Sequence, residues 1–229
     1  DKVELDMNKT LIILSLVVLA SCDAKVQVPS KNLVERDSIK YEVNSQTPFT
    51  GSYVSALCLS KGANYTEFCT INYKDGVLDG LSRSTDKNGI EYHFNFKDGE
   101  LDGLSEVYHS NSILKSKVYY KDGNQEGLAE YYSERGQLES KLNFKNDEAE
   151  GFQEYYYENG YLKVKANYKD GNLNGLFETY HENGQLESKA NNKDGEFDGL
   201  EERYYENGAL ESKSCYRNGE RTDMSYCKK

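Results

Sequence analysis

The sequence predicts an all-β protein, an elongated single-layer antiparallel β-meander built of tandem 24-residue β-hairpins. Three observations predict it. Glycine recurs at Gly80, Gly103, Gly127, Gly151, Gly175 and Gly199, spaced 23 residues once and 24 thereafter, and a fixed period of that size marks a repeat architecture. Asp-Gly or Asn-Gly dipeptides divide most periods, as at Asp170-Gly171 and Asn183-Gly184, and these dipeptides supply the positive φ angles of tight hairpin turns. Between them lie stretches with two-residue alternation, such as Gly175 to Tyr180 and Leu186 to Ala190, the pattern of half-buried strands.

The 229 residues include 20 Tyr, 19 Gly, 2 Pro and no Trp, and the mean hydropathy is -0.84, so no thick aliphatic core is expected. The net charge of -11 argues against nucleic acid or an anionic membrane surface as the main ligand, because both need clustered Lys and Arg. It is sufficient to keep a flat, tyrosine-rich surface in solution.

Residues 1–21 read as an acidic hexapeptide followed by a secretion signal. Met7 is the expected start, Lys9 supplies the positive region, and Leu11 to Ala20 form an apolar run too short for a permanent membrane span. Leu19-Ala20-Ser21-Cys22 resembles a bacterial lipobox, which implies lipidation of Cys22, cleavage before it, and anchoring through the acyl chains. The alternative is an ordinary signal peptide with an incidental cysteine. The expected address is a bacterial cell envelope, with membrane and leaflet left open.

Residues 22–32 form a polar tether, 33–48 a small hairpin, 49–219 the repeat array and 220–229 a C-terminal cap. The first copy, opened by Pro48-Phe49-Thr50-Gly51, is about five residues longer than the rest, and its extra length falls between Cys58 and Cys69. Cys215 and Cys227 stand at the other end, with no cysteine between the two pairs. In an exported protein the simplest pairing is Cys58 with Cys69 and Cys215 with Cys227, each loop closure contributing about 3 kcal/mol. Free thiols are the alternative; zinc is disfavoured by the lack of CxxC spacing.

If the hairpin closes around Arg135-Gly136, Leu128, Glu130 and Tyr132 share a face with Leu138, Ser140, Leu142 and Phe144, leaving Ala129 and Tyr131 opposite with Glu139, Lys141 and Asn143. The same division sets Leu176, Glu178 and Tyr180 with Leu186, Ser188 and Ala190. One face is then leucine and tyrosine, the other alternating charge. A single layer of this kind is held by cross-strand pairs worth roughly 0.2 to 1 kcal/mol each, which places the demand for caps on the two edges. Asn111-Ser112 and Asn146-Asp147 lack the usual glycine and are expected to be the loosest turns.

The pattern Tyr-Lys-Asp-Gly-x-Leu-x-Gly-Leu-x-Glu-x-Tyr-Tyr-x-Glu-Asn-Gly-x-Leu-x-Ser-Lys, best seen at Tyr168 to Lys189, and the Pro48 to Gly51 entry motif resemble the MORN-repeat variants, specifically bacterial repeat proteins of the YwqK antitoxin family of toxin-antitoxin systems. The resemblance covers roughly residues 33 to 219. It implies a binding or scaffolding role for a protein partner, with neutralisation of a toxin as the alternative.

No catalytic motif is present, and no cofactor or metal site is expected. His109 and His181 occupy one repeat position three copies apart, hence about 29 Å at about 4.8 Å per strand, and cannot share a metal. The Asp-Gly-x-Leu-Asp-Gly runs at Asp75 and Asp98 lack EF-hand spacing and read as turns. The tyrosines remain: most are expected to hold the sheet, with Tyr131, Tyr155 and Tyr205 forming the recognition surface. The expected protein is a monomer that binds another protein and no nucleic acid.

Overall fold

The computed structural model describes residues 27–29, 32–55 and 66–228. Cys22, Cys58 and the signal segment lie outside the described residues, as do most of the tether and the side chain of Cys69. Within the tether, Gln27–Pro29 form β1. A separate hairpin follows, β2 (Leu33–Arg36) and β3 (Ile39–Glu42). The array then runs through β4 (Gly51–Ser55), β5 (Thr66–Lys74), β6 (Val77–Leu78), β7 (Gly80–Asp86), β8 (Glu91–Lys97), β9 (Glu100–Leu101) and β10 (Gly103–Tyr108). It continues with β11 (Leu114–Lys121), β12 (Asn124–Tyr132), β13 (Leu138–Lys145), β14 (Glu148–Ala149), β15 (Gly151–Tyr156) and β16 (Leu162–Lys169). The last strands are β17 (Asn172–Tyr180), β18 (Leu186–Lys193), β19 (Glu196–Tyr204), β20 (Leu210–Arg217) and β21 (Glu220–Thr222), before a 3-10 turn at Tyr226–Lys228.

All but β2 and β3 join one sheet of 19 strands. From β4 to β21 the pairing is antiparallel and follows the chain, with β5, β8 and β13 each pairing both a short strand and the strand after it, so the array is an unclosed meander; only β1 is parallel, against β4. The short strands β6, β9 and β14 are the first halves of β7, β10 and β15, interrupted beside the repeat glycine. At these places an asparagine from the preceding strand replaces the missing ladder bonds. Asn143 Nδ2 donates to the Phe152 carbonyl at 2.7 Å, and Asn72 and Asn95 make the equivalent bonds to Leu81 and Leu104; on the uninterrupted β17, Asn167 Nδ2 reaches instead the Asn174 carbonyl, before the glycine, at 2.7 Å.

Two kinds of turn alternate, and this decides the faces. At Asp170-Gly171 both residues have positive φ, 48° and 75°, a two-residue type I′ turn. At Asn183-Gly184 only the glycine does, at 82°; His181 and Gln185 close the loop by the Gln185 carbonyl accepting from the His181 N–H. That makes a three-residue loop with a bulge, marked by the register shift at Thr179/Tyr180.

The extra residue overturns the expected faces. Register pairs Ala129 with Leu142, Glu130 with Lys141 and Tyr131 with Ser140; Glu178 likewise opposes Lys189, and Phe177 opposes Ala190. Glu130 and Tyr132 therefore belong with Lys141, while Ala129 and Tyr131 belong with Ser140 and Leu142. The three-residue loop alone would set Tyr131 against Glu139; the bulge leaves Glu139 unpaired and moves Tyr131 to Ser140, and that one-residue slip sends every following side chain to the other face.

The core is a row of small residues on the Ala129 face. Ala129, Ala166 and Ala190 are 0%, 2% and 4% exposed, with Val118, Ser105 and Gln153 also buried. At the N-terminal end, Gly76 sits so close to the β2–β3 hairpin that a Cβ would lie 2.2 Å from Ile39 Cγ2. Backbone bonds lock the approach: Lys40 donates to Gly76, Gly76 to Phe49 and Phe49 to Lys40.

Candidate binding surface

The two faces carry different chemistry, and each forms rows running across the strands. On one face the directly opposed residues are Arg83, His93, Glu106, Lys117, Glu130, Lys141, Glu154, Lys165, Glu178, Lys189, Glu202 and Lys213, in strand order. From Glu106 onward the charge alternates at every strand. Cross-strand pairing of opposite charges is favourable and of like charges is not, so the row also fixes register. Lys165 Nζ lies 3.2 Å from Glu154, and Glu202 stands between Lys189 at 2.7 Å and Lys213 at 2.5 Å.

Each glutamate from Glu106 to Glu202 precedes by two residues a tyrosine of the same face. Tyr108, Tyr156, Tyr180 and Tyr204 donate their hydroxyls to Glu106, Glu154, Glu178 and Glu202 at 2.8 to 3.0 Å. Burial, and then the bond to the carboxylate, push the phenols of Tyr156 and Tyr180 up to about 12. Hydrogen bonds from Lys189 and Lys213 hold the Glu202 carboxyl down at about 2.

The opposite face carries the candidate surface. Tyr131 and Tyr155 both oppose Ser140, one from each side, so they stand in a single row with a small residue between them. Tyr120 adjoins Tyr131, and Tyr168 adjoins Tyr155; burial first, and these neighbouring phenols next, raise the pKa of both. Tyr120 opposes Gly103 and Tyr168 opposes Gly151, so each ring lies across from a residue without a side chain. Tyr155 is 43% exposed. The arrangement is an aromatic strip with hydroxyl tips over a floor of Ala, Ser and Leu, suited to contact with protein.

Tyr205 does not join this strip. It begins the last three-residue loop, where its N–H donates to the Ala209 carbonyl. The loops form a stack of their own. His109 Nε2, Tyr157 Oη and His181 Nε2 reach the carbonyls of Tyr132, Tyr180 and Tyr204 in the next copy, at 2.7 to 2.9 Å. Both histidines are thus turn-stacking groups. Among the described residues no group of three or more His, Cys, Asp or Glu is placed to hold a metal ion.

At the C-terminal end Cys215 and Cys227 form a disulfide, and Cys215 is 1% exposed. Tyr226 donates to Asp198 at 2.9 Å and the Arg217 guanidinium lies over its ring, so the tail returns across β19 and β20.

Sequence reasoning passed over Tyr120, Tyr168, the asparagines and the ion-pair row. The asparagines had a visible signal in the Asn-x-Lys that recurs before most of the Asp-Gly or equivalent turns, as at Asn72, Asn95, Asn143, Asn167 and Asn191. The ion-pair row had none, because it exists only once the register is set.

Five segments, residues 101–122, 125–146, 150–170, 173–194 and 197–218, match the MORN repeat variant. These are MORN-variant repeats. The matched segments contain Tyr120, Tyr131, Ser140, Tyr155 and Tyr168, hence the full aromatic strip, and the strands before residue 101 continue the same ladder. No curated protein matches the chain.

Proposed function

We propose that this MORN-variant repeat protein is non-enzymatic, is held at a bacterial cell envelope by lipid on Cys22, and binds another protein through its extended sheet. The observation that carries the binding reading is the Tyr131–Ser140–Tyr155 row with Tyr120 and Tyr168 beside it. Tyrosine is enriched at protein interfaces because a rigid ring contributes area and its hydroxyl a hydrogen bond. The neighbouring repeats supply this surface as one flat strip, so the partner is expected to contact several copies at once. The anchoring reading rests on Leu19-Ala20-Ser21-Cys22. Among the described residues no helix is long and apolar enough to cross a membrane.

The test joins address and surface. A photo-crosslinking residue placed at Tyr155 is expected to capture one protein from intact cells, while the same residue at Lys141, on the opposite face, captures none. Fractionation with lipid labelling is expected to show the wild type labelled and membrane-bound, and Cys22→Ala unlabelled. Equal capture from both faces removes the face assignment, and a soluble, unlabelled wild type removes the anchor. In the alternative reading, which rests on the resemblance to the antitoxin family, the partner is a toxin. Rescue of growth on co-expression with the product of a neighbouring gene distinguishes it.

A further inference from the structure

Three separate ladders run through the repeats, and all three stop at β20 with groups that elsewhere are covered by a following strand. The first is the backbone. In an inner copy β18 is paired along its length by β19, from Ser188 opposite Arg203 to Lys193 opposite Glu196. At the end of the array β21 pairs only with Cys215, Tyr216 and Arg217. The chain then leaves the edge: Cys227 is bonded to Cys215 and Tyr226 to Asp198, which draws the tail back over the sheet. Leu210 to Ser214 are left without a strand on their outer side among the described residues.

The second ladder is the charge row. Lys189 lies between Glu178 and Glu202 in the register, whereas Lys213 has Glu202 on one side and, among the described residues, no strand residue opposite it on the other. The third is the loop stack. Asn111, Asn159 and Asn183 each donate Nδ2 to a glutamate carbonyl in the next copy, at 2.7 to 2.9 Å. Asn207 uses its Oδ1 on the Ala209 N–H in the same way, but its Nδ2 and the Tyr205 hydroxyl have no acceptor among the described residues. Leu210 follows suit, being 47% exposed where Leu114, Leu138, Leu162 and Leu186 are half-buried.

We propose that the outer edge of β20, from Leu210 to Ser214, is a strand-addition site for an extended segment of a partner protein that places a carboxylate opposite Lys213. Main-chain bonds along such an edge supply affinity and the side chains opposite supply selectivity. The carboxylate completes the row in the way Glu202 does between Lys189 and Lys213, and a turn following the added strand meets Tyr205 and Asn207. A second copy of this chain does not fit. Its β20, paired about Lys213, would set lysine against lysine, and its other sheet edge is taken by β1 against β4. Edge charges often serve to repel strands; here the charge is one member of an alternating row whose next place is acidic.

The site is separate from the tyrosine strip, and its test is separate as well. The probe is a synthetic peptide with the sequence of Gly175–His181, compared with the same peptide carrying Glu178→Lys. Hydrogen exchange of the full chain is expected to slow at Leu210 to Ser214 with the first peptide, and its affinity to exceed that of the second by about tenfold. In Lys213→Gln, with an unchanged far-ultraviolet spectrum, the two peptides are expected to bind equally. Tyr155→Ala is expected to leave binding as it was. No slowing at β20 with millimolar peptide overturns the proposal. Equal affinities for the wild type, or sedimentation showing dimers joined through this edge, also overturn it.

Discussion

The two faces of this sheet solve the same problem by different physics. On the Ala129 face, contact is dry and steric: alanine, serine and valine sit beneath larger neighbours, and tyrosine rings lie across from glycines. On the Glu130 face, contact is polar and directional, with each carboxylate held by lysine, a tyrosine hydroxyl or both. The first arrangement admits a charge only beside a partner, as where Arg203 holds the buried Glu201 at 2.8 Å. The second is partly exposed and divided among many weak bonds, so the loss of one member is shared by its neighbours. Shape therefore rests on the Ala129 face, and register on the other.

Five substitutions break or sharpen this contrast. Ala129→Glu buries an unpaired charge at a position 0% exposed and is expected to cost about 3 kcal/mol or more. Lys141→Ala, across the sheet, costs under about 1 kcal/mol; similar denaturation midpoints for the two variants would contradict the division of labour.

Glu202→Gln weakens the hold on Lys189 and Lys213 at once and is expected to cost about 1.5 kcal/mol. Because lysine bonds depress the folded Glu202 carboxyl from 4.5 to about 2, its contribution is complete above the ordinary carboxyl range and vanishes as pH falls through 2. Urea midpoints of wild type and Glu202→Gln should therefore converge as the pH is lowered from 5 towards about 2.

Tyr180→Phe removes the hydroxyl bond to Glu178 and is expected to cost about 1 kcal/mol at neutral pH. The folded phenol is raised from 10.0 to about 12, so this stabilisation is present below pH 10 and lost as pH rises through 12. Tyrosinate absorbance during alkaline titration checks the sequence of events, and a Tyr180 that ionises near pH 10 would sink the assignment.

The smallest effect concerns the loops. Ser112 takes the left-handed place that glycine fills in other copies, with φ 62°, and Ser112→Gly is expected to stabilise by about 0.5 kcal/mol. Amide exchange at this loop should then slow towards that of the Asn159-Gly160 loop.

Much of the fold was legible in the sequence. The glycine period and the Asp-Gly and Asn-Gly dipeptides marked the hairpins and their number, because turn chemistry is local. Tyr131 and Tyr155 stood out through the repeated Glu-Tyr-Tyr, whereas Tyr120 and Tyr168, which complete their strip, lay in the separate Tyr-Lys-Asp-Gly segment. Nothing in the linear order brings Tyr120 beside Tyr131; the hairpin between them does. Tyr205 shares the tyrosine-rich segment of β19 yet belongs to the loop stack, since it falls one residue past the strand.

What the sequence determined by itself was the unit: its length, its turns and its alternation, all set by contacts within a few residues. What only the tertiary structure decided was which residues face each other. One bulged residue just after each three-residue loop, such as Glu139 or Glu187, reverses the parity of the next strand, and from that single step follow the buried alanines, the ion-pair row and the strip of tyrosines.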